Sequence, residues 1–272
     1  MSFHHLRYLA LLVVLASLAP TACSADSGGS TAGKRITLQT RMTTEAKARS
    51  TFTTGFGWDV TLTKAIVAAS GLYYFDGPPP TALLAPHKPS LRERIGSFFI
   101  GTAYAHPGHY QAGTALGQVD FGGSTALDLF ASKPRELPDG EGVTGTYRSA
   151  RFVLASKAPK DDTVAGHIAI AEGSAVEHDG SSRDPIHFRL LADYDDVSMN
   201  VNGGSVDGCV LDEASVEADG TITVEVRPTI WLNLVDFSKL EPGTEDAPTE
   251  AHDPGFSQGV TALSAYHFSY AD

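Results

Sequence analysis

The sequence predicts an all-β protein: a single β-sandwich, or an open barrel-like sandwich, with long loops and at most one short helix. Short runs of alternating or β-branched residues recur from Ile36 to the end of the chain. Asp-Gly and Asn-Gly pairs, which favour tight turns, separate many of these runs at roughly ten-residue spacing. Strand and helix patterns do not alternate, which argues against a Rossmann or TIM fold.

Four runs predict the strands in the first half of the chain. Ile36–Thr40 alternates apolar and polar residues, as a strand with one buried face does. Trp58–Ala68 carries several β-branched residues, most of them on one side. Leu72–Phe75 is aromatic and stops at Asp76–Pro80, where glycine and three prolines end a regular element. Ala126–Phe130 is the fourth strand-like run.

Six further runs predict strands in the second half. They are Thr146–Ala155, His167–Gly173, Ile186–Tyr194, Val197–Asn202, Thr221–Val226 and Ala265–Tyr270. The alternation places His187 and His267 on polar faces of their strands. Turns are expected at Asp139-Gly140, Asp179-Gly180, Asn202-Gly203-Gly204, Asp207-Gly208 and Asp219-Gly220.

The remaining segments predict loops and one short helix. Leu91–Phe99 is the helix candidate. Gly77–Pro89 and Glu241–Gly259 are rich in proline or polar residues and are expected to be long loops. Trp58 and Trp231 are expected in the core.

Composition excludes several classes of protein. The chain has 20 Lys and Arg against 32 Asp and Glu, a formal net charge of −12, whereas a nucleic-acid-binding protein needs a basic face. Its 2 cysteines cannot form a disulfide scaffold. The 42% of hydrophobic residues is enough for a core, so the chain is not expected to be disordered.

The N-terminus predicts export and lipid anchoring. Residues 1–22 have the layout of a signal peptide: a short basic start, an apolar run and small residues before Cys23. The small residue followed by Cys23 resembles a bacterial lipobox, in which the cysteine is lipidated. Residues 23–35 are then a Gly/Ser-rich tether and residues 36–272 the β-sandwich domain. Ser24 resembles an outer-membrane sorting signal. Ordinary secretion into the periplasm is the alternative.

Histidine supplies the best candidate site. His106-Pro107-Gly108-His109 has proline and glycine where a type II turn requires them, so the two imidazoles are expected close together. Two imidazoles suit copper, nickel or zinc. His87 and His252 are the candidates for further ligands. An exposed loop that happens to carry two histidines is the alternative interpretation.

Two other groups are candidate ligands. Asp193–Asp196 places three carboxylates at a strand end, which would suit a hard cation such as Ca²⁺, although a solvated turn is favoured. Cys209 would be the only thiol in a lipidated chain. It is a possible Cu(I) ligand, although a small buried residue is the favoured interpretation.

Two resemblances support metal handling. Leu72–Asp76, Leu127–Phe130, Gly145–Leu154 and Trp231–Phe237 resemble strand patterns of bacterial MbnP-like copper-handling β-sandwich lipoproteins. That resemblance implies a secreted sandwich that binds copper through histidines and works beside a partner protein. Ala105–His109 is similar to the processed N-terminus of HupE/UreJ-type nickel/cobalt permeases.

The sequence therefore predicts an outer-membrane lipoprotein that binds Cu, Ni or Zn and passes the metal to a partner protein or transporter. Membrane contact is expected through the lipid anchor only. The chain lacks a G-x-S-x-G elbow, an H-E-x-x-H motif and a C-x-x-C motif, so an enzyme is not expected. The alternatives are an interaction or structural lipoprotein without metal, and an enzyme whose site assembles in space.

Overall fold

Strands of one mixed sheet make up most of the described chain. The structure is a computed structural model that describes residues 33–80, 112–157, 164–180, 184–201 and 204–272. Its twelve strands in these ranges are β1 Arg35–Thr44, β2 Phe52–Thr53, β3 Trp58–Phe75, β4 Ala115–Asp128, β5 Arg135–Val143, β6 Gly145–Leu154, β7 Ala169–Glu177, β8 Ile186–Ala192, β9 Ser205–Val216, β10 Gly220–Val226, β11 Thr249–Ala251 and β12 Tyr266–Ala271. The prediction of an all-β fold is confirmed.

The sheet closes on itself through β3. The strand order β3-β4-β5-β1-β10-β12-β9-β6 returns to β3 because β6 also pairs with it. β3 is 18 residues long, so it has room for different neighbours along its length. β7 and β6 pair with the same side of β3. β7 pairs with its earlier part, from Trp58 to Val67, and β6 pairs with its later part, from Ala69 to Phe75. β8 pairs with β7, and β11 pairs with β8. We call these three strands, which lie outside the closed circuit, the arm.

Alternation in the sequence decides which side chains fill the interior. Along β1, Ile36, Leu38, Thr40 and Met42 are buried while the residues between them are exposed. Successive side chains of a strand point to opposite faces, so this pattern turns one face of β1 toward the core. β1 pairs with β10 in parallel and with β5 in antiparallel fashion.

Aromatic side chains connect the closed circuit to the arm. The Phe237 ring lies 5.8 Å from the Trp58 ring of β3 and 4.9 Å from the Phe188 ring of β8, centroid to centroid. Inside the circuit, the rings of Phe152 and Tyr266 stack at 4.2 Å. All of these side chains are buried, and Trp58 and Trp231 lie in the core as expected.

Three predicted boundaries in the sheet are wrong, and glycines explain them. The predicted strands Trp58–Ala68 and Leu72–Phe75 are parts of one strand, β3. Gly71 lies between them, at a position where a Cβ would be 2.8 Å from the Val119 carbonyl oxygen. Only glycine allows β3 and β4 to approach so closely. Gly140 is another close-packed strand residue, so Asp139-Gly140 lies inside β5 rather than at a turn. Asp207-Gly208 likewise lies inside β9.

The predicted strand Val197–Asn202 is also wrong, because its first residues end a helix. Helix α1 spans Tyr194–Ser198 and begins after Asp193. The side chain of Asp196, the third residue of α1, accepts the backbone N–H of Asp193 at 2.9 Å. This interaction is half of a capping box and favours helix over strand.

The predicted loop Glu241–Gly259 contains regular structure. β11 lies within it and pairs in parallel with β8. Helix α3, Pro254–Val260, follows: the Asp253 carboxylate accepts the backbone N–H of Phe256 at 3.0 Å, and Pro254 occupies the first turn. Together with α2, Pro228–Trp231, the described residues contain three short helices where at most one was expected.

Several predictions concern residues outside the described ranges. They include the signal peptide, most of the tether, the helix candidate Leu91–Phe99 and most of the loop Gly77–Pro89. Among the residues that the structure does describe, no helix has the length and apolar character to cross a lipid bilayer.

Substitution of Phe237 tests the aromatic link between β3 and the arm. Phe237→Ala removes a fully buried ring, and we expect the free energy of unfolding to fall by about 3–5 kcal/mol. Leu234→Ala is a control from the same segment, because Leu234 is 47% exposed; its expected effect is below about 0.5 kcal/mol. Urea unfolding measures both. Equal effects of the two substitutions would contradict the packing described here.

Candidate metal centre

The structure describes one of the four histidines predicted as metal ligands. His87, His106 and His109 lie outside the described residues, as does the lipidation candidate Cys23. The His-Pro-Gly-His turn therefore stays a prediction from sequence. His252 is described, and it lies beside two residues that the prediction did not select, His167 and Asp193.

The three strands of the arm bring these residues together at one end of the strands. His167 lies just before β7, Asp193 just after β8 and His252 just after β11. β7 and β8 are antiparallel, with Ala169 opposite Ala192, so the start of one strand meets the end of the other. β8 and β11 are parallel, so their ends also lie together. Three residues distant in sequence thus converge through strand direction alone.

The distances between the three side chains suit a shared cation. One potential ligand atom from each of His167, Asp193 and His252 lies within 4.8 Å of the others. His167 Nδ1 and Asp193 Oδ1 are hydrogen-bonded at 2.7 Å, and His252 Nδ1 is 3.9 Å from Asp193 Oδ2. The two imidazole rings are 5.8 Å apart and nearly edge to face. We call these three residues the His-Asp-His cluster.

A tight turn positions His167. The backbone N–H of His167 donates to the Val164 carbonyl at 2.8 Å, and Ala165 and Gly166 between them have φ of 47° and 95°. Two central residues with positive φ define a type I′ turn. This conformation costs alanine about 1–2 kcal/mol, so the surrounding structure holds the turn. Ile168 then donates its N–H to Ala192, next to Asp193.

Ion pairs hold the short strand that carries His252. β11 has only three residues, and its Glu250 accepts from Arg189 of β8 at 2.9 Å. Arg189 also lies 3.3 Å from Glu172 of β7, which pairs with Lys64 of β3 at 3.2 Å. Charges thus alternate in sign across four neighbouring strands. Each exposed cross-strand pair contributes roughly 0.2–1 kcal/mol, and together they fasten β11 to the arm.

The His-Asp-His cluster is partly open to solvent and acidic. The side chain of His167 is 21% exposed, and those of Asp193 and His252 are 46% and 48% exposed. Asp195 and Asp253 add carboxylates nearby in the chain. The surroundings therefore favour a cation, and a metal ion can enter directly from solution.

The donor set favours a borderline transition metal. Two imidazole nitrogens and one carboxylate oxygen match zinc, copper and nickel better than Ca²⁺, which takes six to eight oxygen ligands. The suggestion of a calcium-type site at Asp193–Asp196 is therefore not supported by the arrangement, because the Asp193 side chain faces two imidazoles and Asp196 contributes to helix α1.

Two other histidines pair with aspartate but gather no third donor among the described residues. His178 Nδ1 lies 2.9 Å from Asp59, and His267 Nε2 lies 3.0 Å from Asp212. The pKa of the Asp59 carboxyl is lowered, first by its hydrogen bond with the Thr53 side chain and next by its hydrogen bond with the His178 ring. These pairs lie on exposed strand surfaces and serve as internal comparisons for the His-Asp-His cluster.

A cleft of about 280 Å³ lies in a different part of the protein. Its walls include Arg49, Lys133 and Arg135, and none of the three cluster residues lines it. A spatially assembled enzyme would need a pocket around its histidines and carboxylates. The His-Asp-His cluster and this cleft are therefore separate features of the described residues.

Cys209 is a buried core residue, as the sequence favoured. Its side chain is fully buried in β9, and the thiol donates to the Val206 carbonyl at 3.3 Å. Burial raises the pKa of this thiol to about 12. Within the described residues Cys209 belongs to no cluster of potential metal ligands, and its full burial fits the structural role that the sequence favoured over a Cu(I) ligand.

The sequence contained a partial signal for His167 and Asp193. His167 begins one predicted strand, His167–Gly173, and Asp193 lies near the end of the next, Ile186–Tyr194, and antiparallel neighbours bring those ends together. The sequence did not predict β11, which lies in a segment rich in proline and acidic residues. Without a strand there, His252 could not be placed beside the other two.

The environment of Cys209 predicts its reactivity. In the Cys23→Ser variant, Cys209 is the remaining cysteine of the 2 in the sequence. Since its pKa is about 12, the thiol is protonated at pH 8 and we expect no reaction with Ellman's reagent in the native state. One thiol per chain should react in guanidinium chloride. Rapid native-state reaction would show that the thiol is accessible and ionised.

Comparisons with protein-family models, curated protein sequences and solved structures find no match to this chain.

Proposed function

We propose that this protein is an exported, lipid-anchored metal-binding protein that holds a copper, nickel or zinc ion at the His-Asp-His cluster. The observation that carries the proposal is the convergence of His167, Asp193 and His252 from three strand ends. Lipid attachment at Cys23 and an outer-membrane location rest on the sequence of the first 35 residues.

Three protein donors suit a metal that is carried and exchanged. Structural zinc sites are usually closed by four protein ligands, whereas sites with three leave a position for water or another molecule. The exposure of Asp193 and His252 supports access to that position. Transfer of the metal to a partner protein or transporter is therefore the role we propose, with the lipid anchor as the only membrane contact.

The His-Asp-His cluster and the predicted turn at His106 and His109 are two separate candidate sites. The His-Asp-His cluster includes His252, one of the histidines predicted from sequence. The predicted turn at His106 and His109 either forms a second site or contributes nothing to binding. Variants of each pair can distinguish these possibilities.

Metal titration of the purified full-length protein tests the proposal. We expect one Cu²⁺, Ni²⁺ or Zn²⁺ to bind by isothermal titration calorimetry, with Cu²⁺ tightest and Ca²⁺ without measurable binding. His167→Ala and His252→Ala should each weaken binding by more than the roughly 10–100-fold that loss of an outer-shell partner costs. His178→Ala and His267→Ala are matched controls from the other His–Asp pairs and should have little effect.

The outcomes separate the candidate functions. Loss of binding in His106→Ala/His109→Ala, with His167→Ala unaffected, would move the site to the predicted turn. Absence of binding tighter than millimolar in the unmodified protein would reject the metal-binding function. A partner protein captured equally well with and without chelator would then favour an interaction lipoprotein.

A further inference from the structure

Asp196 connects two elements of the His-Asp-His cluster without belonging to it. Its Oδ2 atom accepts two hydrogen bonds: the backbone N–H of Asp193 at 2.9 Å and the ring Nδ1 of His252 at 3.1 Å. Asp193 follows β8 and His252 follows β11. One carboxylate oxygen therefore fixes the distance between the residues that end these two strands.

Helix α1 holds the Asp196 carboxylate in place. Asp196 is the third residue of the helix, and its carboxylate folds back onto the residue that precedes the first turn. The side chain is 32% exposed, so it is partly shielded. The orientation of the carboxylate is thus set by the helix and does not depend on a metal.

The hydrogen bond to Asp196 determines which nitrogen of His252 is available. An ionised carboxylate only accepts hydrogen bonds, so His252 Nδ1 must carry the proton in this contact. In a neutral imidazole the other nitrogen, Nε2, then has the free lone pair. The Asp193 carboxylate does not compete for the Nδ1 proton, because its nearest oxygen is 3.9 Å away.

We propose that Asp196 is the positioning residue of the metal centre. It fixes the ring orientation and tautomer of His252 so that Nε2 is the nitrogen with a lone pair available for the metal. This inference rests on the proposed function. It assigns Asp196 the outer-shell role in which a carboxylate orients a histidine and increases the basicity of its metal-binding nitrogen.

The neighbouring aspartate provides a matched control. Asp195 lies in the same turn of α1 and is exposed, and its carboxylate has no hydrogen bond within the described ranges. Asp195→Asn and Asp196→Asn both remove one negative charge within the first turn of α1. Only the second weakens the hydrogen bond to His252, so a difference between the variants isolates that bond from the change in charge.

Zinc affinity and the tautomer of His252 are the two measurements. We expect Asp196→Asn to weaken Zn²⁺ binding by the full-length protein about 10–100-fold and Asp195→Asn by much less. In metal-free wild-type protein, the ¹⁵N shifts of His252 should show the proton on Nδ1. In Asp196→Asn the proton should move substantially to Nε2. Circular dichroism checks that both variants keep the fold.

The outcomes distinguish this inference from the proposed function. Equal zinc affinities of Asp195→Asn and Asp196→Asn, or an Nε2-protonated His252 in the metal-free wild type, would overturn the role of Asp196. If the wild type binds no zinc, the proposed metal function fails, and an Nδ1-protonated ring would still support the hydrogen bond that positions His252. The wild-type tautomer tests the inference even if Asp196→Asn does not fold.

Discussion

The structure depends on one long strand with two different neighbours along the same side. β3 pairs with β7 along its first part and with β6 along its last part. The hydrogen-bonding groups of a strand must all find partners, so the change of neighbour forces the sheet to divide at this point. One branch closes into the eight-strand circuit, and the other becomes the arm of β7, β8 and β11. The candidate metal centre lies where the neighbouring ends of β7, β8 and β11 meet.

The sequence was a good guide wherever one face of a strand is buried. β6, β8, β10 and β12 were predicted within two residues at both ends, since alternation reports burial directly, whereas the predicted strand Ile36–Thr40 stopped four residues before the end of β1. It failed where glycine serves close packing instead of turning, as at Gly71 and Gly140. It also failed at α1, where a local hydrogen bond from the Asp193 backbone N–H to the Asp196 carboxylate outweighs the strand tendency of Val197 and its neighbours.

Only part of the candidate site was predicted from the sequence. His252 was selected, but for a different set of partners, and the carboxylates at Asp193–Asp196 were noted for a different ion. Their actual association depends on β11, a three-residue strand that gains its stability from pairing with β8 and from the Arg189–Glu250 contact. Such a strand has no periodicity to detect. Long-range pairing of this kind is a property of the folded sheet rather than of any local segment.

The short edge strand also affects what an affinity measurement reports. β11 lies at the end of the sheet, pairs with one neighbour and carries His252 at its end. Elements with few contacts open locally at a lower free-energy cost than the core. Detachment of β11 alone would remove one of the three potential donors from the His-Asp-His cluster and leave the circuit of eight strands paired. The apparent dissociation constant is then the intrinsic one divided by the fraction of molecules in which β11 is docked. Under the proposed function, any change that loosens β11, even one far from the imidazoles, would therefore release the metal.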